Sequence, residues 1–255
     1  MKQYPSCQDG LVSIVTPLHN GENFVAETIE SVLKQTYSYW EMIIVDDCST
    51  DRGPEIVMEY VKNDSRVRFV RNEQNQGPAL TRNTAIREAK GEYIAFLDSD
   101  DLWTNDKLEK QISFMAKGNH PFTFTYYDQI SEEGNFLKNV DQLSDRVNYL
   151  STMKSNKIGC LTAVYSVKYF GKVYMENIAK RQDYTLWLKL LKKIEYAYCV
   201  PHILAHYRIR ENSVSSNKFK LVKFHWHIYR HIEGHSFFKS LYFISNYIFV
   251  RIFKS

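Results

Sequence analysis

Apolar positions along the first hundred residues switch repeatedly between two periods. "LVSIVTP" is an apolar run that stops at Pro17, the pattern of a buried strand. Over 22–35, Val25, Ile29, Val32 and Leu33 recur at helical spacing, and "EMIIVDD" then reads as a second strand running into acid. Over 54–62, Ile56, Val57, Tyr60 and Val61 share one helical face. "VRFV" is a short strand, and "GPALTRNTAIREAKG" is a helix with Pro78 near its start and Gly91 just past its end. "EYIAFLD" is a fourth strand. This alternation predicts an α/β fold, a doubly wound and mostly parallel sheet with right-handed crossovers. After Trp103 the pattern loosens. Residues 128–157 are polar and irregular and read as an excursion over the surface. "GCLTAVYS" resumes as a strand, "DYTLWLKLLKK" is an amphipathic helix opened by Asp183, and "YAYCVPHILAHYRIR" is strand material.

In open α/β sheets, ligands bind outside the carboxyl ends of the strands. Three predicted strands end in chemically interesting residues: Thr16 to Asn20, Asp46 and Asp47, and Asp98 to Asp101. If the strands are parallel, these ends converge on one edge and form a single site. Carboxylates packed as in "DSDD" repel one another, and their desolvation is costly unless a cation or donors compensate. Mg2+ or Mn2+ takes oxygen ligands, commonly one or two carboxylates plus substrate phosphates, and Asp98 and Asp100 as an Asp-x-Asp pair suit it. An Asp-x-Asp tripeptide is common, and by itself it favours a solvated loop with caps. Asp101 is assigned to a turn or helix cap, and Ser49, Thr50 and Asp51 to capping the helix that follows them. An acid at Asp47 can accept from a nucleobase N–H or a ribose hydroxyl.

The ordered set formed by "VSIVTPLHNGENFVAETIESVLKQTYSYWEMIIVDDCSTD" and "NQGPALTRNTAIREAKGEYIAFLDSDDLW" resembles the family 2 glycosyltransferases of the GT-A fold. The likeness covers about the first 105 residues and resumes around 159–216. It implies that Pro17 and His19 wall a nucleobase pocket, with His19 where the family often has Tyr. It implies that Asp47 reads the base, Asp98 contacts the ribose and the metal, and Asp100 is the principal ligand of Mn2+ or Mg2+. Arg82 and Asn83 fall near the donor site, with a purely structural helix-face role as the alternative. The family's acidic pair before "YDLWLRL" matches "QDYTLWLKL", which makes Asp183 the base that deprotonates the acceptor; Gln182 stands where Glu is usual. Asp183 as a simple helix cap is the alternative. "YRIRENSVSS" resembles the family's late "YRxHxxSxS", and Arg210 at the usual His position fits a diphosphate rather than a metal, with a solvated surface arginine as the equal alternative. The implied activity is inverting transfer of a sugar from a nucleoside diphosphate, UDP by preference.

Charge adds a tail to this picture. Of a formal net charge of +4, residues 218–255 carry seven Lys/Arg against one Glu, so the body before them is slightly acidic. On a helical wheel Ser236, Lys239, Ser240, Asn246, Arg251 and Lys254 share one arc. Phe237, Phe238, Leu241, Tyr242, Ile244, Ile248, Ile252 and Phe253 take the other, with Phe243 and Val250 intruding. A basic, aromatic amphipathic helix lies in a membrane interface, or packs on the body or a second subunit. The expected organisation is a transferase domain over 9–216, with a nucleotide-sugar half (9–105) and an acceptor half (106–216), followed by basic helices over 217–255. No apolar stretch has the length of a signal core or a membrane span. The chain is therefore expected in the cytoplasm, peripherally held on the inner membrane and acting on a saccharide or polyprenyl-diphosphate-linked acceptor. The four cysteines read as buried single thiols, the histidines from His225 to His235 as interfacial or surface residues, and no nucleic-acid motif accompanies the basic tail. A phosphatase of the haloacid dehalogenase type and a non-catalytic nucleotide- or lipid-binding module are the alternatives. Leu102 two places beyond Asp100 argues against the first, and the retained acids against the second.

Overall fold

The computed structural model describes residues 7–140, 144–210 and 218–253. The predicted alternation is present: β1 (Gln8–Leu18), α1 (Val25–Leu33), β2 (Trp40–Asp46), α2 (Gly53–Asn63), β3 (Val67–Arg71), α3 (Pro78–Glu88) and β4 (Gly91–Phe96). β5 (Leu102–Trp103), α4 (Lys107–Gly118), β6 (Phe122–Ile130), β7 (Phe136–Val140), β8 (Arg146–Val147) and α5 (Tyr149–Lys154) follow. A 3-10 turn at Cys160–Thr162 leads into β9 (Val164–Ser166), α6 (Val167–Phe170), α7 (Gln182–Leu191) and β10 (Ala197–Arg208). The chain closes with α8 (Lys218–His227), a π-helical turn at Ile228–Ile232 and α9 (Phe237–Phe253).

One sheet runs through the body in the order β3-β2-β1-β4-β9-β6-β10-β5, with β7 on β6 and β8 on β10. Its first four strands are parallel, as expected. β9 runs antiparallel to both β4 and β6, so the acceptor half is mixed rather than parallel. Within the described part of 128–157, β6 and β7 close into an antiparallel hairpin that the polarity of this segment does not predict. "GCLTAVYS" forms a strand only at its end.

Strand side chains alternate across the sheet and feed two cores. Ile43, Val45, Ile94 and Phe96 face Ala85 and Ile86 of α3 and Leu186, Trp187 and Leu190 of α7. Met42, Ile44, Tyr93 and Ala95 face Val25, Ile29 and Val32 of α1, Val57 of α2 and Ile112 of α4. Strands buried on both faces need the continuous apolar runs that the sequence shows.

A third, smaller core joins Met153 of α5 and Tyr184 and Leu188 of α7 to Ile228, Tyr229, Phe243 and Ile244. The tail thus packs on the body, but of the predicted apolar arc only Ile244 is buried among the residues whose exposure is described. Ser240, Phe243, Ile244 and Tyr247 are buried, whereas Phe237, Phe238, Leu241, Tyr242 and Ile248 are exposed, Phe238 at 81%. Phe243, which looked like an intrusion, belongs to a second apolar stripe. His225 departs from its surface assignment too, since it is buried among Tyr184, Tyr229 and Tyr247. All four cysteines are unpaired, and only Cys199 is buried.

Candidate active site

The carboxyl ends of β1, β2 and β4 meet at one cavity of about 500 Å3, to which Asp183 at the start of α7 also contributes. Pro17, His19, Asp47, Arg82, Asp98, Asp100, Asp183 and Arg210, scattered over the sequence, all line it. The register explains the convergence: β1 and β2 end level, Leu18 pairing with Asp46, and β4 ends beside Val15, so the three carboxyl ends share one edge of the sheet. A smaller cavity of about 240 Å3, near Glu92, His120 and Lys168, lies at the amino end of β4 and holds none of these residues.

The turns at this edge are tight. Four non-glycine residues among the described ones have positive φ, and three stand beside candidate residues: Asn20 (φ 51°) after His19, Cys48 (φ 61°) after Asp47, and Arg181 (φ 67°) before Gln182 and Asp183. Such backbone is held only where surrounding contacts over-determine it. At Asp47 those contacts are explicit. Its Oδ1 accepts from Asn72 Nδ2 (2.8 Å) and from the Gln76 N–H (2.9 Å), and its Oδ2 from the Gly77 N–H (2.8 Å). Gly77 sits at φ 81°, ψ 166°, a region open essentially to glycine alone. Burial would raise the Asp47 carboxyl, but the donors from Gln76, Asn72 and Gly77 outweigh it and hold the group below the ordinary carboxylate range. Asp47 therefore anchors the β3–α3 loop. The Nδ1 of His19 lies 2.9 Å from the Asp47 carbonyl. A carbonyl only accepts, so Nδ1 carries a proton.

Each acid of the Asp-x-Asp pair faces a guanidinium. Arg82 Nη2 lies 2.5 Å from Asp98 Oδ1, with the arginine 7% and the carboxylate 28% exposed. Burial disfavours the Arg82 charge, but Asp98 more than offsets this and raises its pKa. Arg210 Nε lies 2.9 Å from Asp100 Oδ2. Burial, and then the Asp98 charge, push the Asp100 carboxyl up, against the pull of Arg210 and Arg208. Asp101 forms a turn with Asp98 (Asp101 N–H to Asp98 C=O, 3.1 Å), but it caps no helix, since Asp106 precedes α4. Its Oδ1 instead accepts from the Arg208 N–H at 2.9 Å. Asp183 is not a cap either. Arg181 occupies the cap position of α7 without a side-chain bond, and Asp183 lies in the first turn, where the helix dipole favours a carboxylate. Asp51 does accept from the Gly53 N–H (3.0 Å) as α2 begins, while Ser49 and Thr50 lie further upstream.

Arg208 is the residue that sequence reasoning missed. Its guanidinium, 1% exposed, donates to the Asp100 carbonyl (2.9 Å), the Glu132 carbonyl (2.5 Å) and the Glu27 carboxylate (2.6 Å). It ties the Asp-x-Asp turn to α1 and to the β6–β7 hairpin. The available signal was an arginine at the end of the apolar strand run, two places before Arg210. Asn83 turns away from the cavity and binds the Met175 backbone at both ends of its amide, so its role is structural. Residues 211–216 of the "YRIRENSVSS" segment lie outside the described residues.

Among the described residues no three His, Cys, Asp or Glu side chains converge into a ready-made metal cage. Two carboxylates at the mouth of an open cavity are the donor set of a hard cation that completes its shell with phosphate and water, so Asp98 and Asp100 fit Mn2+ or Mg2+.

A family model described as Glycosyl transferase family 2 matches residues 13–176. TuaG of Bacillus subtilis (strain 168), named for teichuronic acid biosynthesis, is 44% identical over 93% of this chain and 94% of its own. WfgD of Escherichia coli, named as a UDP-Glc:alpha-D-GlcNAc-diphosphoundecaprenol beta-1,3-glucosyltransferase, is 39% identical over 96% and 95%. The structure of S. aureus TarS 1-349 with UDP-GlcNAc superposes with a TM-score of 0.75 at 19% identity, covering 94% of this chain and 73% of that one.

Proposed function

Because the chain belongs to glycosyl transferase family 2, and is a glycosyltransferase, we propose that it moves a sugar from a UDP-sugar to a hydroxyl of a polyprenyl-diphosphate-linked saccharide. The observation that carries this reading is the cavity itself, which joins the nucleotide-side residues at three strand ends to one carboxylate, Asp183, on a different element. WfgD, similar along nearly its whole length, carries in its name both a UDP-sugar and a diphosphoundecaprenol acceptor.

In this reading the base lies against His19 and Pro17, and Arg82 holds Asp98 oriented beside the ribose and diphosphate. The acceptor hydroxyl gives its proton to Asp183, its oxygen forms a bond to the anomeric carbon, and the bond from that carbon to the diphosphate oxygen breaks. Base and leaving group stand on opposite sides of the sugar, so one displacement inverts the anomeric centre. Mn2+ or Mg2+, held by Asp98 and Asp100, would take up the charge that develops on the departing diphosphate.

Such an acceptor is anchored in a bilayer, and α9 supports a place for the enzyme on its inner face. The stripe of Phe237, Phe238, Leu241, Tyr242 and Ile248 faces outward, with Lys154 at its rim (Nζ 5.8 Å from the Tyr242 ring). No helix among the described residues is long and apolar enough to cross a membrane. In co-sedimentation with anionic liposomes, Phe238→Ser with Leu241→Ser should release the protein; retention of the double variant would refute this part. For the transfer itself, calorimetry with UDP, GDP and dTDP, each with and without Mn2+, comes first. Binding of one nucleotide by wild type and its loss in Asp100→Asn is the expected result. A folded protein that binds none of the three would overturn the reading.

A further inference from the structure

The two ion pairs at the Asp-x-Asp turn are not equivalent. Arg82 is fixed, 7% exposed and pinned on Asp98. Arg210 is 37% exposed and its partner Asp100 20%, so water reaches both members and the pair can exchange. The Arg210 guanidinium also lies 5.6 Å from the Phe24 ring, next to that of Arg208 at 5.0 Å, an aromatic surface across which it can slide without losing all of its contacts. The cavity as a whole is lined by five carboxylates, from Asp47 to Asp183, and by five Lys or Arg side chains, from Arg82 to Arg210. A dication entering alone meets no net negative field and must displace a guanidinium from the acid it needs. A dication that enters with a diphosphate brings its own counter-charge, and the planar fork of the displaced guanidinium gains phosphate oxygens to bind.

We propose that Arg210 is a resident counter-cation of Asp100: it holds this carboxylate in the empty site, gives it up to the divalent metal, and passes to the diphosphate of the donor. The exchange makes metal and nucleotide interdependent. The metal alone binds poorly because it competes with Arg210, and the nucleotide relieves that competition by offering Arg210 a second partner. Reciprocity of coupling then requires the metal to improve nucleotide binding by the same factor. The inference rests on the donor-site reading above and adds an order of events to it. An arginine cannot ligate the metal, so at this position it can only compete with the metal for Asp100.

The test is Mn2+ binding, read from the electron paramagnetic resonance signal of free Mn2+, for wild type, Arg210→Gln and Arg210→Lys, with and without UDP. Without UDP, Arg210→Gln should bind Mn2+ about three- to tenfold more tightly than wild type, the range expected for removing a half-exposed ion pair from competition. With UDP the advantage should vanish or reverse, and UDP affinity should fall. Arg210→Lys, which keeps the charge without the planar fork, should restore the competition but not the full UDP affinity. Equal Mn2+ affinity of wild type and Arg210→Gln without UDP, or weaker binding by the variant, would overturn the proposal while leaving the donor site standing. Failure of wild type to bind Mn2+ or UDP in any combination would instead remove the donor-site reading, and this inference with it.

Discussion

Replacing either member of the Arg82–Asp98 pair should have very different consequences, and the asymmetry can be worked from exposure. Arg82 is almost wholly buried and Asp98 is 28% exposed. Asp98→Asn leaves a nearly buried guanidinium without its counter-charge; the amide oxygen and the Pro78 carbonyl at 3.4 Å remain as acceptors, and its Nε has no partner. Breaking a fully buried pair from one side costs about 3–5 kcal/mol, and the water that already reaches Asp98 trims this to about 2–3 kcal/mol. Arg82→Leu leaves a carboxylate that can hydrate, so the expected cost is about 1 kcal/mol. At roughly 2–4 °C per kcal/mol for a chain of this size, the melting temperature should fall by about 5–10 °C for Asp98→Asn and by about 2–4 °C for Arg82→Leu. The double variant should resemble Arg82→Leu alone, because removing the cation removes the reason for the loss. Urea unfolding of the four proteins measures the cycle. Additive costs, or Asp98→Asn no worse than Arg82→Leu, would refute the claim that Arg82 carries a buried charge.

Asp183→Asn should lower kcat about 10²- to 10⁴-fold and leave UDP affinity unchanged, since an amide cannot take the acceptor's proton; a variant that transfers at the wild-type rate would exclude Asp183 as base. The Asp47 carboxyl is held below its unfolded value, so its contribution to stability is complete above the unfolded pKa and disappears as pH falls through the lowered folded one. Acid unfolding of Asn72→Ala, which removes one of the donors, should therefore show a shallower acid limb than wild type. Lys107 is fully buried with no hydrogen bond to its Nζ, which lies 3.7 Å from the Trp103 ring centroid, and burial pushes its pKa well down. In the window between that lowered pKa and the unfolded value, the unfolded chain binds the extra proton and wild-type stability rises with pH. Lys107→Met should be as stable as wild type or more so at neutral pH, and should lack the alkaline rise in chemical denaturation.

What the sequence displayed was periodicity and the residues at which it stops. Apolar runs ending at Pro17, Asp46 and Phe96 revealed the parallel half of the sheet, and the same three stops named the site, because parallel strands bring their carboxyl ends to one edge. Asp183 was legible through the resemblance rather than through geometry: it lies far along the chain, and only folding brings it to the cavity. Arg208 was hidden because a buried arginine looks like any other in a polar segment until the carbonyls it binds, at Asp100 and Glu132, are brought beside it. The tail misled for a different reason. A single wheel sorts positions into two arcs, but α9 has two apolar stripes, and Phe243, Ile244 and Tyr247 pair with cores that the wheel cannot see.

The third core bears on how experiments with this enzyme are designed. Phe243 and Ile244 cover Tyr184 and Leu188, which stand on the back of the same helix that carries Asp183 at its front. Cutting the chain before α8 would therefore uncover that helix and let its first turn drift. A loss of turnover that followed would report on the scaffold and not on the proposed membrane contact. Point changes on the outward stripe, which leave the inner stripe in place, test that contact by itself.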